Sequence, residues 1–310
     1  MTDIIILHEN DEWLPPFRHA LTEAGLAFEE WHLANGSVDL MATPPDAVFY
    51  SRMSASAHTR GHEHAPALAQ ATLNWLERHG REVLNGSQAL YFETSKVAQY
   101  SALAASGIPT PATVAAVGSV ALAEAAERFS HWPLILKPNR GGKGLGVQRV
   151  EDIAALKALA ADPATLGDSA DGVWLLQELF ETTDGTITRA EFIDGRFHYA
   201  VQVATGGSFE LCPAEACDID ERPRFVVTHQ MPEQQIRAYE NFLAANGIAI
   251  AGIEFARTPD GRILTYDINT NTNYNPTAEK AAGVVSGPAR LAEALKMRLA
   301  ARAAPRVAAE

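Results

Sequence analysis

Residues 134–147 read LILKPNRGGKGLGV, an apolar strand ending on Lys137 followed by glycines at 141, 142, 144 and 146 among Arg140 and Lys143. A Walker-type phosphate loop does not fit, because Gly142-Lys143 is followed by Gly144 where Ser or Thr is required, and residues 147–150 read as strand and not helix. A protein-kinase glycine loop is excluded too, since its glycines precede the strand lysine and here Lys137 comes first. What remains is a glycine-rich hairpin between two strands. Its N–H groups can fold over phosphates while Lys137 neutralises charge from beneath, the competing reading being a tight hairpin with solvated cations.

A second stretch, residues 252–275, reads GIEFARTPDGRILTYDINTNTNYN. Two apolar strands flank a Pro-Asp-Gly turn and are interrupted by Glu254, Asp267 and Asn269. Strand alternation puts Asp267 and Asn269 on one face, and a hairpin closing at Asp260-Gly261 brings Glu254 beside them. Three oxygen ligands suit magnesium, which takes its remaining ligands from water and nucleotide phosphate. A polar strand edge is the alternative, but it gives no reason for acids to break two apolar strands at facing positions.

Around these stretches the chain alternates strand and helix, an α/β (α+β) pattern. Strand-like residues 4–7 and 47–50 with helix-compatible 17–24 between them, helix 67–78 and strand 82–84 make residues 1–92 a small open α/β unit. The segment after its first strand has no glycine triplet, which disfavours a Rossmann cofactor site. Residues 93–176, holding the glycine hairpin, form a second unit, and strand-rich 177–300 a third carrying the acids, with 301–310 as a frayed tail. Arg52 and Arg60 follow the second strand of the first unit, where open α/β sheets bind ligands, and are read either as contacts to a substrate carboxylate or as surface arginines.

The 310 residues carry a net charge of -13, which argues against nonspecific binding to nucleic acid or anionic membrane. Yet residues 131–149 hold Lys137, Arg140, Lys143 and Arg149 and no acid, so the cations are concentrated where one nucleotide needs them. Two cysteines, Cys212 and Cys217, are too few for a disulfide framework or a four-cysteine zinc site, and with an acidic, short-apolar start the expected compartment is the cytoplasm. His58, His62 and His64 lack a zinc-site framework and are read as solvated or structural.

Taken in order, these motifs resemble the ATP-grasp superfamily, and within it the ribosomal-protein-S6 glutamate ligase and glutathione-synthetase-like carboxylate-amine ligases, over residues 85–296. The resemblance implies an ATP-grasp fold behind an N-terminal α/β domain, with ATP and Mg2+ (Mn2+ as the alternative) as cofactors. Lys96, in NGSQALYFETSKVAQYSALAASGIPTPAT, corresponds to the first phosphate lysine and Lys137 to the second; Arg140, Gly141, Gly142, Lys143 and Gly144 resemble the mobile flap. Gln177, Glu178, Leu179 and Phe180 resemble the hinge that receives adenine, and Arg189 the arginine near the γ-phosphate. Glu254, Asp267 and Asn269 match the metal ligands.

Ile187 replaces the family's Asp two residues before that arginine, which shifts the expected ribose contact to Glu181 or Asp184. The glutamate ligases' arginine- and glycine-rich substrate segment is absent, GGSFELCPAEACDID standing in its place, so glutamate is not supported as substrate. Asn271, Asn273 and Asn275, with Arg52, are expected to shape a particular substrate pocket. The implied activity is amide or peptide bond formation through an acyl phosphate, on small-molecule or peptide carboxylate and amine substrates, by a homo-oligomer (dimer or tetramer). The alternatives are an ATP-grasp kinase or phosphotransferase, and a noncatalytic nucleotide-binding module.

Overall fold

The computed structural model describes residues 2–142, 144–204 and 225–303. Its first sheet is parallel, in the order β2-β1-β3-β4, built from β1 (Ile4–His8), β2 (Phe28–His32), β3 (Val48–Arg52) and β4 (Glu82–Leu84). The buried runs IIILH and VFYSR form the centre, as both faces are covered. β2, FEEWH, is an edge strand of half-exposed residues, and its charges hide it from a hydrophobicity reading, so the strand after β1 is β2 and not residues 47–50. Helices α1 (Pro15–Glu23) and α2 (Ala65–Arg78) flank this sheet, each buried along one stripe.

α3 (Ser87–Thr94) and α4 (Lys96–Ala105) lead to the second sheet, antiparallel in the order β5-β8-β6-β7. It contains β5 (Thr113–Ala116), β6 (Leu134–Pro138), β7 (Gln148–Val150) and β8 (Trp174–Glu178), backed by α5 (Ser119–Ala126), α6 (Ile153–Ala161) and α7 (Pro163–Leu166). The third sheet, order β11-β10-β9-β12-β13, is also antiparallel: β9 (Thr186–Ile193), β10 (Arg196–Ala204), β11 (Phe225–Thr228), β12 (Ala251–Arg257) and β13 (Ile263–Asn269). α8 (Glu233–Ala245), α9 (Pro276–Ala282) and α10 (Gly287–Ala303) pack on it or return to the first sheet. Among the described residues no helix is long and apolar enough to cross a membrane.

The cores show what is joined to what. One buried cluster runs from Ile4, Phe17 and Tyr50 in the first unit through Ile193 and Tyr199 to Leu291 and Leu295 of α10, so the first and third sheets share a core. Asn85 fastens the same junction: in a left-handed backbone conformation (φ 53°), its Nδ2 donates to Ile250 and Thr270 carbonyls and its Oδ1 accepts from the Ala249 and Ile250 amides. All four hydrogen-bonding positions of a buried amide are used. Arg298 of α10 adds bridges to Glu82 and Asp194. The second sheet instead keeps a core of its own, from Leu122 and Leu134 to Leu156 and Leu176.

Candidate active site

A cleft of about 500 Å³ lies where the three sheets meet. On β6, Leu134 and Leu136 face the private core while Ile135 and Lys137 face the cleft, as strand alternation requires. On β9, β12 and β13 the register sets Arg189 beside Glu254 and Glu254 beside Asp267, a row of charges across three adjacent strands. The next row is Glu191, Gly252 and Asn269. Gly252 leaves room for the guanidinium there: a Cβ would collide with Arg189 Nε, Nη2 and Cζ and force that side chain to move.

Lys137 is buried, with Nζ donating to Tyr100 Oη (2.6 Å) and Gln177 Oε1 (3.0 Å). Neither partner is charged, so burial, aided by Lys96, pulls its pKa down to about 7. Lys96 opens α4, whose Ser95 cap accepts from the Ala98 amide, and its Nζ pairs with Asp267 Oδ1 at 2.5 Å. Burial is the largest single influence and opposes its charge, but Asp267, Tyr100 and Glu254 together outweigh it and raise the pKa above the usual lysine value. Burial and then Asp267 push Glu254 up to about 7. Arg189 pairs with Glu191 (2.8 Å) and Glu254 (3.5 Å) and donates to Thr272 Oγ1. These acids hold it charged despite burial.

Asn269 Nδ2 stands 3.2 Å from Glu254 Oε1 and 3.5 Å from Asp267 Oδ2, so the three expected ligands converge. Gly141, Gly142 and Gly144 of the hairpin line the opposite wall with Leu145 and Val147. Gly144 and Gly146 both have positive φ, and at Gly146 a Cβ would also press on Pro138 at 3.3 Å. Leu179 and Phe180 continue that wall, and with Ile135, Ile187 and Ile268 they make an apolar slot.

Several expected residues take other places. Arg52 is buried away from the cleft, donating to Tyr50 Oη, Asn273 Oδ1 and the Thr272 carbonyl with its guanidinium 3.7 Å above the Phe17 ring, so it supports the 272–273 backbone and is not a substrate contact. Arg60 is likewise committed to Glu9. Arg140 turns from the cleft and donates to the Ala55 carbonyl. Gln177 lines the cleft, but its side chain braces Lys137, Tyr100 and Thr113. Glu178 lines it too, with its carboxylate accepting from the Ala112 amide. Glu181 and Asp184 do not line the cleft; Thr182 does, beside Ile187. Asn271 and Asn273 line it, whereas Asn275 caps α9 through the Ala278 amide. Lys143, Cys212, Cys217 and the 206–220 segment lie outside the described residues.

Sequence reasoning missed four residues that build the site. Glu93 accepts from the Ala55, Thr270 and Asn271 amides and from Thr270 Oγ1, tying the first unit to the end of β13. Tyr100 lies one helical turn from Lys96 on the same face, a spacing that signals its place at Lys137. Asn139, two residues past Lys137, docks β6 on the start of α4 by accepting from the Val97 amide. Trp13 lines the cleft from the turn after β1, with nothing in its local sequence to mark it.

No protein-family model matches the chain. Over 150 residues it is 28% identical to a D-alanine–D-alanine ligase of Streptomyces avermitilis, covering 47% of this chain and 38% of that protein. Over 103 residues it is 34% identical to the glutamate–LysW ligase ArgX of Sulfolobus acidocaldarius, covering 33% and 36%. The chain thus spans well under half the length of the curated relatives it matches. Solved structures match it along nearly its whole length: the ATP-grasp ligase PsnB in complex with a precursor variant, Mg and ADP (TM-score 0.68, 16% identity, 96% of this chain and 99% of that one) and the D-cycloserine synthetase DcsG (0.66, 19%, 96% and 99%). A RimK domain ATP-grasp protein of Sphaerobacter thermophilus gives 0.67 at 16% identity over 94% of this chain and 98% of that one. The chain has the fold of these ATP-grasp structures along nearly its whole length.

Proposed function

We propose that the protein is an ATP-dependent carboxylate-amine ligase that forms an amide or peptide bond. The observation that carries this reading is the convergence of Lys96, Lys137, Arg189, Glu254, Asp267 and Asn269 on one cleft opposite a glycine hairpin. The residues fit the groups the reading requires. Glu254 and Asp267 face each other across paired strands, and the high pKa of Glu254 is relieved by a cation. The donors are oxygens, as Mg2+ prefers, once the Asn269 amide is turned to present Oδ1.

ATP, when bound with Mg2+, supplies the phosphoryl group that turns a poorly electrophilic carboxylate into an acyl phosphate. Lys96, Lys137 and the hairpin amides hold phosphate oxygens, and the slot of Ile135, Leu179, Phe180 and Ile268 takes the base. Arg189, held by Glu191 and Thr272, offers fixed positive charge where negative charge develops. The hairpin excludes water, which protects an activated acyl group from hydrolysis. Trp13, Asn271 and Asn273 border the remaining space, where the acid and amine are placed.

The test is phosphate release from ATP and Mg2+ against pooled carboxylates crossed with pooled amines, followed by mass spectrometry. An amide product with one ADP and one phosphate supports the reading. A phosphorylated product assigns a phosphotransferase, and nucleotide binding without any product assigns a noncatalytic module.

A further inference from the structure

A second cluster of chemically active side chains lies at the C-terminal edge of the first sheet. β1 ends on His8 and β2 on His32, and the register pairs them, with ring centroids 4.9 Å apart. Glu30, two residues before His32, projects from the same face of β2, and Asp11 opens the short turn Asp11–Trp13 above them. We propose that His8, His32, Asp11 and Glu30 form a site for a divalent transition metal that pins this turn and thereby sets Trp13 at the cleft.

The spacing fits shared ligands better than direct contacts. His8 Nε2 stands 3.8 Å from Glu30 Oε2 and His32 Nε2 stands 3.7 Å from Asp11 Oδ2. Ligand atoms of His8, Asp11 and Glu30 all lie within 4.8 Å of one another. The two close separations are too long for hydrogen bonds but near the roughly 3.4 Å that tetrahedral geometry sets between ligands at zinc-like bond lengths of about 2.1 Å. His8 supplies an independent sign: it is 1% exposed, and its Nε2, the nitrogen that faces the cluster, stands 3.8 Å from Glu30, out of hydrogen-bond reach. A buried ring nitrogen without a partner is costly, and a metal bound at Nε2 supplies one there.

The surroundings agree. Arg18 grips Glu30 through both oxygens (2.7 Å each) but Asp11 through Oδ1 only (3.1 Å), leaving Asp11 Oδ2 toward His32. Such an outer partner orients ligands. Its charge also cancels one of the two acids, which disfavours Mg2+ or Ca2+ and leaves the choice to imidazole-seeking ions such as Zn2+ or Co2+. Access is open, as the Asp11 and His32 side chains are 65% and 36% exposed.

The test is calorimetric Zn2+ titration of the full chain, with Co2+ d–d absorption as the spectroscopic signature. One site per chain is expected, retained in the His58→Ala/His64→Ala double variant and in Asp267→Asn. Its affinity falls at least about tenfold in His8→Gln and in His32→Ala, the latter being the safer substitution at a half-exposed edge position. Circular dichroism checks that each variant is folded. Amide exchange of residues 10–14 slows when Zn2+ is added. Unchanged affinity in both histidine variants overturns the site, loss of binding in Asp267→Asn places the ion in the cleft instead, and unchanged exchange at 10–14 removes the pinning role.

Discussion

Glu9, just past β1, and Glu254, on β12, are both carboxylates withdrawn from solvent. Glu9 is fully buried, yet Arg60 Nη2 lies 2.5 Å from one oxygen while Arg60 Nε and His62 Nδ1 reach the other at 3.2 and 2.8 Å. Glu254 has Arg189 only at 3.5 Å and a second carboxylate, Asp267, as its cross-strand neighbour. The cations differ in the same way: Arg52 lies on an aromatic ring with its donors used, whereas buried Lys137 has only neutral partners. Burial is common to both regions, and what separates them is whether the charge is answered within the chain. The Glu9 and Arg52 pairings are complete as they stand, while the cleft, on the proposed function, is left for charges that arrive with a ligand.

If that distinction holds, the largest effects come from the incomplete region. Lys137→Ala or Asp267→Ala lowers ATP-dependent phosphate release by about 10³-fold with the melting temperature preserved, measured by coupled assay and calorimetry. Near-normal turnover in either variant breaks the comparison. Gly252→Ala adds no charge and removes none, but its Cβ displaces Arg189 from Glu191 and Glu254. A loss of about 10²-fold in kcat is expected, with ADP affinity nearly unchanged, since about 1 Å of misplacement has that effect.

The pH response is smaller and has two opposite signs. Lys137 in the free protein loses its proton through about pH 7, and phosphates favour the charged form, so metal-free ADP binds more weakly as pH rises above 7, by at most about tenfold per unit. Glu254 also titrates near 7, but a cation favours its ionised form, so the gain from adding Mg2+ grows as pH rises through 7. Calorimetry in buffers of different ionisation enthalpy reads proton uptake in the first case and release in the second. The smallest effect on turnover comes from the complete region: Glu9→Gln changes the rate of the folded enzyme by less than about threefold but costs about 3 kcal/mol of stability, read as a lower melting temperature.

The cleft row was legible in the sequence because its chemistry sits inside strong patterns: Glu254, Asp267 and Asn269 interrupt apolar strands, and Lys137 ends one. What could not be read are contacts made between units. Nothing near Arg52 announces that Phe17 and residues 272–273 will surround it, and nothing near Glu93 announces the amides of Ala55, Thr270 and Asn271. β2 escaped for a different reason: an edge strand carrying Glu29, Glu30 and His32 lacks the apolar run that marks the buried strands. The family pattern also misplaced Arg140, Glu181 and Asp184, which lie off the cleft because the chain's own contacts, such as Arg140 with Ala55, decide orientation.

Asn85 has a mechanical consequence. Its four hydrogen bonds, the shared core from Ile4 to Leu295 and the Arg298 bridges weld the first and third sheets into a single anvil. The second sheet has its private core and also packs on that anvil, through Leu175 in a buried cluster with Phe192, Ile253 and Ile268 and through hydrogen bonds such as the Thr265 amide on the Pro109 carbonyl and the Lys96 amide on the Asn139 carbonyl. Parting the welded pair exposes a continuous apolar core, whereas displacing the second sheet leaves its private core intact. Of the three layers, the one that keeps a core of its own is the one that carries the glycine hairpin.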